Sequence, residues 1–499
     1  MKLSVNGNIN EYYVQTLCLL FFPGSRFSKN DAEPEGSPSA DVTVTEDVNA
    51  VTATVSLSYD GKHAIKTATE QLSASSPISD AHRIAVGKAF FAAGKSIFGI
   101  SPQWGILTGV RPSKIALKQL FDGKTKADVR SCLSKELFVS PKKAALVTDI
   151  AATEKKIISK VPKRSCSVYI SIPFCPSRCS YCSFVSVSSK KLLSMLDDYL
   201  DRLIYDLDRC FETIRSLGLT VSTVYVGGGT PTTLDEKQLK TLTDAVMRNV
   251  DVSTLEEYTV EAGRPDTVTA EKLRILKESG VTRVSVNTQT LNDDVLESIG
   301  RHHTSKQFLE AFELAKKSGI PHINTDLIAG LPGEGFRSFS ETIDRMIELR
   351  PDNLTFHTLC IKSAADFAKQ MRGMDPAGSG DASKSVDYAQ ASAKNAGYIP
   401  YYIYRQKNTV ENLENVGFAL PGAEGRYNIY MMEEIHSIFA VGAGAVSKLV
   451  SADKKLIERI FEYKYPYEYL AEDKDASNIE KTRKILDFYN TKWSDTEAQ

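Results

Sequence analysis

The sequence has no dominant charge and no long apolar run, and its first residues do not have the pattern expected of a signal peptide; each of these absences narrows the class of protein that we expect. Lys and Arg number 61 against 62 Asp and Glu, which gives a formal net charge of −1. This balance offers no electrostatic reason to expect nucleic acid or a membrane surface as a partner. No apolar run is long enough to span a bilayer, and the apolar patch Leu17–Phe22 is too short for a signal peptide. We therefore expect a cytoplasmic protein with no nucleic-acid and no membrane partner.

Cysteines are few and, with one exception, scattered. The eight of them are Cys18, Cys132, Cys166, Cys175, Cys179, Cys182, Cys210 and Cys360. Most show no spacing typical of a disulfide framework, which suits a reducing compartment. The exception is the run Tyr-Ile-Ser-Ile-Pro-Phe-Cys-Pro-Ser-Arg-Cys-Ser-Tyr-Cys, in which three cysteines follow the pattern Cys-x3-Cys-x2-Cys.

This cysteine run is the most informative feature of the chain. Three thiolates are one fewer than a closed four-thiolate site needs, but they can hold three irons of a cubane cluster and leave the fourth iron open. The pattern therefore indicates redox chemistry on a ligand. Chance packing residues and a structural zinc site are the alternatives. A fourth zinc ligand is not obvious, because Ser183 and Phe184 follow the last cysteine, and spacings this short disfavour disulfides.

The first third of the chain predicts a separate domain of mixed α and β structure. A chain of 499 residues suggests two or three domains. Val14–Phe22 is a short apolar strand candidate, and the polar stretch Ser28–Ala40 is a predicted loop. Val42–Tyr59 alternates apolar and polar residues and predicts a hairpin, whereas Asp80–Phe98 has helical apolar spacing. We assign residues 1–160 to an N-terminal α+β accessory domain.

From Val168 onward the pattern changes to short β-branched runs that alternate with amphipathic helices. Strands are predicted at Val168–Ile172, Thr223–Val226, Tyr258–Glu261, Val284–Asn287, His322–Ile328 and Leu354–Thr358. Six consecutive β-α units predict a parallel sheet that curls into a full or partial barrel, with its site at the C-terminal ends of the strands. We assign residues 161–365 to this core and residues 366–499 to a C-terminal region that covers the substrate, with a flexible polar stretch at Met374–Ser385.

Chemically distinctive residues lie at or near the C-terminal end of each predicted strand, which is the arrangement that the barrel hypothesis requires. They are the cysteine run, the segment Gly227-Gly-Gly-Thr-Pro-Thr232, Glu261, Asn287 with Gln289, Asp326, and Thr358 to Cys360. All six sets fall on one predicted rim. The glycine segment is not a Walker phosphate loop, because no Lys-Ser/Thr pair follows at the required spacing.

Together these motifs resemble those of the radical S-adenosylmethionine (SAM) superfamily. Within it, Tyr-x-Ser-Ile-Pro-Phe-Cys-x3-Cys-x-Tyr-Cys and Gly-Gly-Gly-Thr-Pro-Thr resemble the oxygen-independent coproporphyrinogen III oxidases (dehydrogenases). Trp104-Gly-Ile-Leu-Thr-Gly-Val-Arg-Pro112 and the segment Tyr404-Arg-Gln-Lys-Asn408 are similar to the HemZ-type branch. The resemblance is strong from about 165 to 450 and looser before that. It implies an α/β fold: a partial (β/α)6 radical SAM barrel with an N-terminal α+β domain and a C-terminal, mostly helical extension.

The resemblance also implies a 4Fe-4S cluster and SAM as cofactors. Cys175, Cys179 and Cys182 would be the cluster ligands, since soft sulfur ligands suit iron–sulfur clusters. The reduced cluster would cleave SAM to a 5'-deoxyadenosyl radical. By match to the family, the SAM contacts are Tyr169, Tyr181, Gly227, Gly228, Gly229, Thr230, Glu261, Gln289, Arg301, Asp326 and Cys360. Structural explanations stay open for these residues, such as a strand tyrosine, a glycine turn, a helix-capping arginine or a buried, hydrogen-bonded carboxylate.

The sequence differs from the family pattern at two places that bear on the implied activity. The oxidase has a fourth cysteine two positions after the last ligand, where Phe184 stands. The related haem-chaperone branch carries a His-Asn motif for haem, and the matching region here is Tyr427-Asn428. We expect an enzyme that oxidatively decarboxylates two propionates of coproporphyrinogen III to vinyls, giving protoporphyrinogen IX. A haem-binding carrier and another radical SAM reaction on a tetrapyrrole, such as methyl transfer or ring opening, are the alternatives.

The implied partners follow from that chemistry. They are a tetrapyrrole substrate and a reduced flavodoxin or ferredoxin-type electron donor, and the chain is expected to act as a monomer. Arg111 and Arg405 are further candidates for binding propionate carboxylates, because a guanidinium pairs with a carboxylate in a bidentate manner. A surface salt bridge is the alternative for either arginine.

Overall fold

The computed structural model describes residues 1–27, 36–72, 78–184, 188–360, 380–407 and 409–493. The chain divides into two compact units, one made of Met1–Ala152 with Tyr404–Asn412 and one that contains most of the chain from Thr153 onward. The domain boundaries drawn from the sequence at 160 and 365 stay predictions. Most of the predicted loop Ser28–Ala40 and the first half of the predicted flexible stretch Met374–Ser385 lie outside the described residues.

The strands carry most of the architecture. In chain order the strands of the described residues are β1 Lys2–Asn6, β2 Ser39–Glu46, β3 Ala50–Tyr59, β4 Lys62–Gln71, β5 Ser165–Ile172, β6 Thr220–Gly228, β7 Glu257–Glu261, β8 Arg283–Ser285, β9 His322–Ala329, β10 Asn353–Thr358, β11 Ile399–Arg405, β12 Glu414–Ala419, β13 Ile438–Val441, β14 Val446–Val450 and β15 Ile457–Phe461.

Helices fill the connections between the strands. Over the same described ranges they are α1 Glu11–Phe21, α2 Ile78–Phe98, α3 Ser113–Phe121, α4 Lys126–Lys135, α5 Pro141–Ile158, α6 Lys190–Leu193, α7 Leu196–Ser216, α8 Glu236–Asn249, α9 Ala270–Glu278, α10 Asp293–Ser298, α11 Ser305–Lys317, α12 Phe336–Leu349, α13 Asp381–Asn395, α14 Arg426–Glu433, α15 Pro466–Ala471 and α16 Lys474–Thr491. In the described part of the chain, none of them combines the length and the apolar character that crossing a membrane requires.

The first unit contains a four-stranded sheet in the order β1-β2-β3-β4. The predicted hairpin is confirmed, since β2 and β3 pair antiparallel with Val42 opposite Val55. Alternate residues of β3 are fully buried, as expected for a sheet with one face in a core and one in water. The predicted helix at Asp80–Phe98 is confirmed as α2. The N-terminal α+β expectation therefore holds.

The strand predicted at Val14–Phe22 is wrong, because this segment forms helix α1. Asn10 caps the helix by accepting a hydrogen bond from the Tyr12 backbone N–H. The buried side chains are Tyr13, Val14, Leu17, Cys18 and Phe21, which follow the three- and four-residue spacing of a helix. The apolar run is too short for its periodicity to separate a strand from a buried helix, and the cap decides between them.

All six predicted strands of the core are confirmed as β5 to β10. They run parallel in chain order, each hydrogen-bonded to the next. Both faces of these strands are covered, because residues on either side of the sheet are buried along almost the whole length of β6 and β10. Helix α7 contributes a stripe of buried side chains that includes Leu203, Leu207 and Phe211. Parallel order places the C-terminal ends of all six strands at one edge of the sheet.

The sheet continues beyond the six parallel strands and does not close into a barrel. Its full order over the described residues is β11-β12-β10-β9-β8-β7-β6-β5-β13-β14-β15. On one side β12 pairs antiparallel with β10, and on the other β13 pairs parallel with β5. The sheet is therefore open, which agrees with the predicted α/β fold with a partial barrel and excludes a closed one. The C-terminal extension contains helices α13 to α16 and, in addition, five strands that the sequence analysis did not predict.

Candidate functional site

The three clustered cysteines lie on the loop that follows β5. A turn joins the last two, because the Cys182 N–H donates to the Cys179 carbonyl at 3.1 Å. The Cys175 sulfur lies 3.4 Å from the Thr230 hydroxyl, which belongs to the loop after β6. Cys179 is buried and the other two are half-buried, and within the described ranges every cysteine of the chain is a free thiol. The loop therefore offers three thiols at the rim of the sheet.

These three thiols fit an iron–sulfur cluster in their chemistry. Thiolates are the usual ligands of 4Fe-4S clusters, and each binds a different iron atom. Over the described residues, no three His, Cys, Asp or Glu side chains form a group that could hold a single metal ion. Burial is the main cause that raises the pKa of Cys182, and the neighbouring Cys179 and Cys175 add to the rise. Metal binding would therefore be coupled to proton release.

The glycine run at the end of β6 is needed for the close packing of two loops. A Cβ on Gly229 would lie 2.5 Å from the Phe174 carbonyl oxygen, and Gly228 has a φ of +108°, which glycine adopts without strain. The Gly229 and Thr230 N–H groups donate to the carbonyls of Ile172 and Phe174, at 2.8 and 2.7 Å. The glycines thus hold the cysteine loop against the end of β6, a structural role in line with the glycine turn that the sequence analysis left open beside SAM binding.

Glu261, at the end of β7, is paired with a tyrosine of the neighbouring strand. The Tyr225 hydroxyl donates to the Glu261 carboxylate at 2.5 Å. Burial raises the pKa of Glu261 to about 7, the hydrogen bond from Tyr225 opposes that rise, and the nearby Asp326 carboxylate adds to it. Gly227 lies beside both partners, since a Cβ there would be 2.8 Å from the Tyr225 ring and 3.1 Å from the Glu261 carboxyl carbon. We call the sheet face that carries Tyr225, Glu261 and Asp326 the inner face.

Asp326 and Gln289 are joined through the backbone and through Asn287. The Asn287 amide donates to the Asp326 carboxylate at 2.9 Å, and the Asp326 N–H donates back to the Asn287 side chain at 3.1 Å. Gln289 has a left-handed φ of 72°, which is uncommon for a residue other than glycine. Its side-chain oxygen is buried and has no hydrogen-bond partner among the described residues. His357, on β10, lies 3.8 Å from Asp326.

Arg301 ties the ends of β7 and β8 to each other. Its guanidinium donates to the Asn287 carbonyl at 2.5 Å and to the Gly263 carbonyl at 3.1 Å. Burial acts to lower the pKa of Arg301, but the adjacent Tyr181 and Cys179 raise it, and the net direction is upward. Arg301 is therefore buried, charged and next to the cysteine loop. Its backbone N–H also donates to the Leu296 carbonyl at 2.9 Å, which closes the C-terminal end of α10.

The cysteine loop itself rests on the segment around Arg301. The Ser180 N–H donates to the Ile299 carbonyl at 3.0 Å, and the Ser177 hydroxyl donates to the Gly300 carbonyl at 3.3 Å. Burial raises the pKa of Tyr181, whereas Arg301 acts to lower it. Tyr181 therefore lies near both the cysteines and this arginine, and its contact with SAM stays a prediction.

Tyr169 lies on the inner face, in a stack of three tyrosine rings. Its ring centroid is 6.0 Å from that of Tyr225 and 6.3 Å from that of Tyr427, and Tyr225 and Tyr427 are 4.5 Å apart. Tyr427 belongs to α14, so the C-terminal extension covers this part of the inner face. Cys360 follows β10 at the same rim and is half-buried.

The structure thus brings most of the predicted site residues to one rim, and it adds members that the sequence analysis had not selected. Those are Tyr225, Arg264 and His357. Tyr225 stands between Val224 and Val226 in the strand, so its side chain points to the opposite face of the sheet from theirs. The face on which Tyr225 lies could therefore be predicted from the sequence. Its partner Glu261 was not readable, because that contact depends on the register of β6 against β7.

Arg405 does not serve as a free anion-binding group. It is buried, and its guanidinium donates to the Leu107 carbonyl at 2.5 Å and to the Asn412 side chain at 2.9 Å. It also lies 5.2 Å from the centre of the Trp104 ring. The arginine holds the Trp104 segment in place within the first unit, and its burial means that it does not lie on the surface.

Comparison with known proteins identifies several relatives. The radical SAM superfamily profile matches residues 169–346. The oxygen-independent coproporphyrinogen-III oxidase-like protein HemZ of Bacillus subtilis is 38% identical over 377 residues, which cover 74% of this chain and 75% of that protein. The haem chaperone HemW of the same organism is 32% identical over 63% of this chain and 81% of its own length. Coproporphyrinogen III oxidase (HemN) from Escherichia coli, described as a radical SAM enzyme, aligns with a TM-score of 0.47 and 23% identity over 60% of this chain and 67% of its own.

Proposed function

Because the chain belongs to the radical SAM superfamily, in the branch of the oxygen-independent coproporphyrinogen-III oxidase-like proteins, we propose that it is an enzyme that oxidatively decarboxylates propionates of coproporphyrinogen III. Members of the superfamily use a 4Fe-4S cluster and SAM. The product would be protoporphyrinogen IX, with two propionates converted to vinyls. The observation that carries the proposal is the three-thiol loop after β5, at the same rim as Glu261 and Asp326.

The cofactors would supply the radical chemistry, and the chain would hold them. Cys175, Cys179 and Cys182 would bind the cluster, which together with SAM would supply a carbon-centred radical able to take a hydrogen atom from a propionate carbon. Loss of carbon dioxide and transfer of one electron to an external one-electron acceptor would then complete the vinyl group. The Glu261 carboxylate and the unpartnered Gln289 oxygen are acceptors on or near the inner face. They would accept hydrogen bonds from the hydroxyl or amino groups of SAM.

The surrounding residues would orient these groups and exclude water. Arg301 fixes the carbonyls of Gly263 and Asn287, and through Asn287 it fixes Asp326. The tyrosine stack, capped by Tyr427 of α14, fills the inner face beside Glu261. Exclusion of water from such a site protects a reactive intermediate from side reactions.

A haem-binding carrier is the second candidate, because several relatives are named as haem chaperones, at 28 to 32% identity. Tyr427, which stands in the matching region of the haem motif, is buried and stacked on Tyr225. Burial raises its pKa well above the usual value, so the phenol is a poor substitute for a ligating imidazole. This observation favours the enzyme over the carrier.

Partners and location belong to the same proposal. A reduced flavodoxin or ferredoxin-type protein would supply the electron, the chain would act as a monomer, and the tetrapyrrole would be its substrate. A cytoplasmic location is supported by the free thiols of all eight cysteines, since thiols persist in reducing compartments.

Product analysis separates the candidates. The protein is reconstituted anaerobically, reduced, and mixed with SAM and coproporphyrinogen III, and the products are identified by mass. The enzyme predicts loss of two carbon dioxide molecules together with 5'-deoxyadenosine. Deoxyadenosine with a different tetrapyrrole product would support another radical SAM reaction, such as methyl transfer or ring opening. Stoichiometric haem binding with neither product would support the carrier. Cys179→Ala should abolish turnover, whereas Cys132→Ala, in the first unit, should preserve it.

A further inference from the structure

Arg264 is a residue at the rim that the proposed reaction does not use. It comes three positions after Glu261, at the end of β7, and its side chain is 3% exposed. The guanidinium donates to the Ser177 carbonyl at 3.3 Å and lies 3.9 Å from the Cys179 sulfur. A buried arginine pointed at the cysteine loop is costly unless its charge has a partner.

The protein provides only a partial counter-charge for the Arg264 guanidinium. Asp266 accepts from Arg264 Nε at 3.2 Å and from Nη2 at 3.5 Å, but the Asp266 side chain is 24% exposed. The two residues belong to one short turn, Pro265–Thr267 with Arg264 before it. Asp266 therefore orients the guanidinium from the solvent side, while the opposite nitrogen, Nη1, is directed toward Cys179.

A second guanidinium adds to the positive charge at the same sulfur. Arg301 lies close enough to Cys179 for the two groups to influence each other. His303, two residues after Arg301, is buried, and its pKa falls to about 3 because of burial and of the positive charges of Arg301 and Arg264. The charges of both arginines therefore act together beside the cysteine loop. Cys175, by contrast, has a neutral neighbour in the Thr230 hydroxyl.

We propose that Arg264 is a positioning residue that sets the reduction potential of the cluster through its buried charge beside Cys179. Reduction adds one electron to the cluster, and the electron comes from an external reductant without any bond being made or broken. A fixed positive charge nearby stabilises the more negative, reduced form. Charge, hydrogen bonds to the sulfurs and solvent exposure all tune the potentials of such clusters. The inference rests on the cluster, not on the reaction with coproporphyrinogen.

The test measures the potential itself, with neither SAM nor substrate present. Arg264→Gln, Arg264→Lys and the parent chain are reconstituted anaerobically, assayed for iron, and titrated with dithionite while the reduced cluster is followed by electron paramagnetic resonance. Arg264→Gln should lower the ratio of reduced to oxidised cluster at least tenfold at a fixed potential, which corresponds to 59 mV for a one-electron couple. Arg264→Lys should keep most of the parent reduction potential. The 3.9 Å between Arg264 Nη1 and the Cys179 sulfur makes for a weak hydrogen bond, so the positive charge, which lysine retains, has the larger effect on the potential.

A matched control and a variant of opposite sign complete the experiment. Arg274→Gln removes an arginine from an exposed pair on α9 and should leave the potential unchanged. Asp266→Asn removes the negative charge beside Arg264 and should raise the ratio of reduced to oxidised cluster. An Arg264→Gln protein with full iron content and the parent potential would overturn the proposal. If Arg264→Gln loses the cluster, the test depends on Arg264→Lys and Asp266→Asn instead. A reduction potential that Asp266→Asn leaves unchanged or lowers would then overturn the proposal.

Discussion

Individual residues at the rim are held in states that they would not adopt in water. Glu261 has a pKa near neutrality, Gln289 has a left-handed backbone, and Arg264 is buried at 3% exposure. Each state has a cost that the surrounding structure must support. Perturbed groups of this kind cluster at functional sites more often than elsewhere, and here they meet on the loops that follow β7 and β8.

The raised pKa of Glu261 predicts a stability effect that depends on pH. Its pKa in the folded state exceeds that in the unfolded chain, so the folded protein retains the proton longer. Stability is therefore lost as the pH rises from about 4.5 to 7 and is constant above that range. Glu261→Gln removes this cost. Relative to the parent, the variant should gain about 1 to 3 kcal/mol between pH 5 and pH 8 in urea unfolding of the cofactor-free protein.

The control for this experiment is Glu310→Gln, on the exposed surface of α11, where the side chain is 62% exposed. Its difference from the parent should stay constant between the two pH values. An equal pH dependence in both variants would contradict the assignment of the effect to the burial of Glu261.

The glycine run predicts a steric effect on the cysteine loop. Gly229→Ala would place a Cβ 2.5 Å from the Phe174 carbonyl oxygen, and backbone atoms cannot yield as a flexible side chain can. We expect a loss of about 1 to 3 kcal/mol in the free energy of unfolding, together with a lower iron content after reconstitution. Gly109→Ala, where a Cβ would meet nothing within 4 Å, is the matched control. Full iron content in Gly229→Ala would contradict the packing argument.

For individual residues, the sequence predicted the type of chemistry better than it predicted the side-chain contacts. The cysteine spacing and the glycine run are local patterns, so both were readable from the chain. Arg264 was not, because its approach to Cys179 joins loops 85 residues apart. The pairing of Tyr225 with Glu261 likewise depends on strand register, which local pattern does not determine.

Among the secondary structure elements, α14 connects the C-terminal extension to the site. Glu257, at the start of β7, accepts from the backbone N–H groups of Arg426 and Tyr427 at 2.9 and 3.2 Å, in the first turn of α14. A carboxylate there interacts favourably with the helix dipole. The same carboxylate pairs with Arg283 at 3.1 Å, and both side chains are buried. One ion pair therefore fixes the helix that delivers Tyr427 to the tyrosine stack.

This arrangement predicts a large difference between two identical substitutions. Glu257→Gln leaves the charge of Arg283 buried and without its counter-ion, which should cost about 3 to 5 kcal/mol in the free energy of unfolding. Glu271→Gln breaks an exposed pair with Arg274 on α9 and should leave the free energy of unfolding almost unchanged, because solvent screens such a pair. Denaturant unfolding of the two variants measures the difference. Similar losses in both would show that Glu257 does not hold α14 in the way described.

For the molecule as a whole, the six β-α units could be predicted because each is a local pattern of strand and helix. The five strands of the C-terminal region were not predicted. Two of them, β12 and β13, pair with β10 and β5, which lie far away in sequence, and β14 and β15 are short strands that pair with each other. Helix α1 was misassigned for a different reason: a short apolar run fits a strand and a buried helix equally well. The domain boundaries and the individual cofactor contacts remain predictions.

Cofactor binding should stabilise the whole protein, because a group that binds the folded chain and not the unfolded chain shifts the equilibrium by mass action. Anaerobic reconstitution is therefore expected to raise the thermal unfolding temperature of the parent and of Cys132→Ala. Cys179→Ala should show no such rise. Chelation of iron from the reconstituted parent should reverse the gain, and a parent protein that is indifferent to reconstitution would argue against a structurally coupled cluster.

The most direct test of the account is the metal content of the anaerobically purified and reconstituted chain, measured with its electron paramagnetic resonance spectrum after reduction. The account predicts about four irons and four sulfides per chain, a reduced-cluster signal that changes when SAM is added, and loss of both in Cys179→Ala but not in Cys166→Ala. Bound zinc in place of iron, or a Cys179→Ala protein with the same iron content and spectrum as the parent, would contradict it.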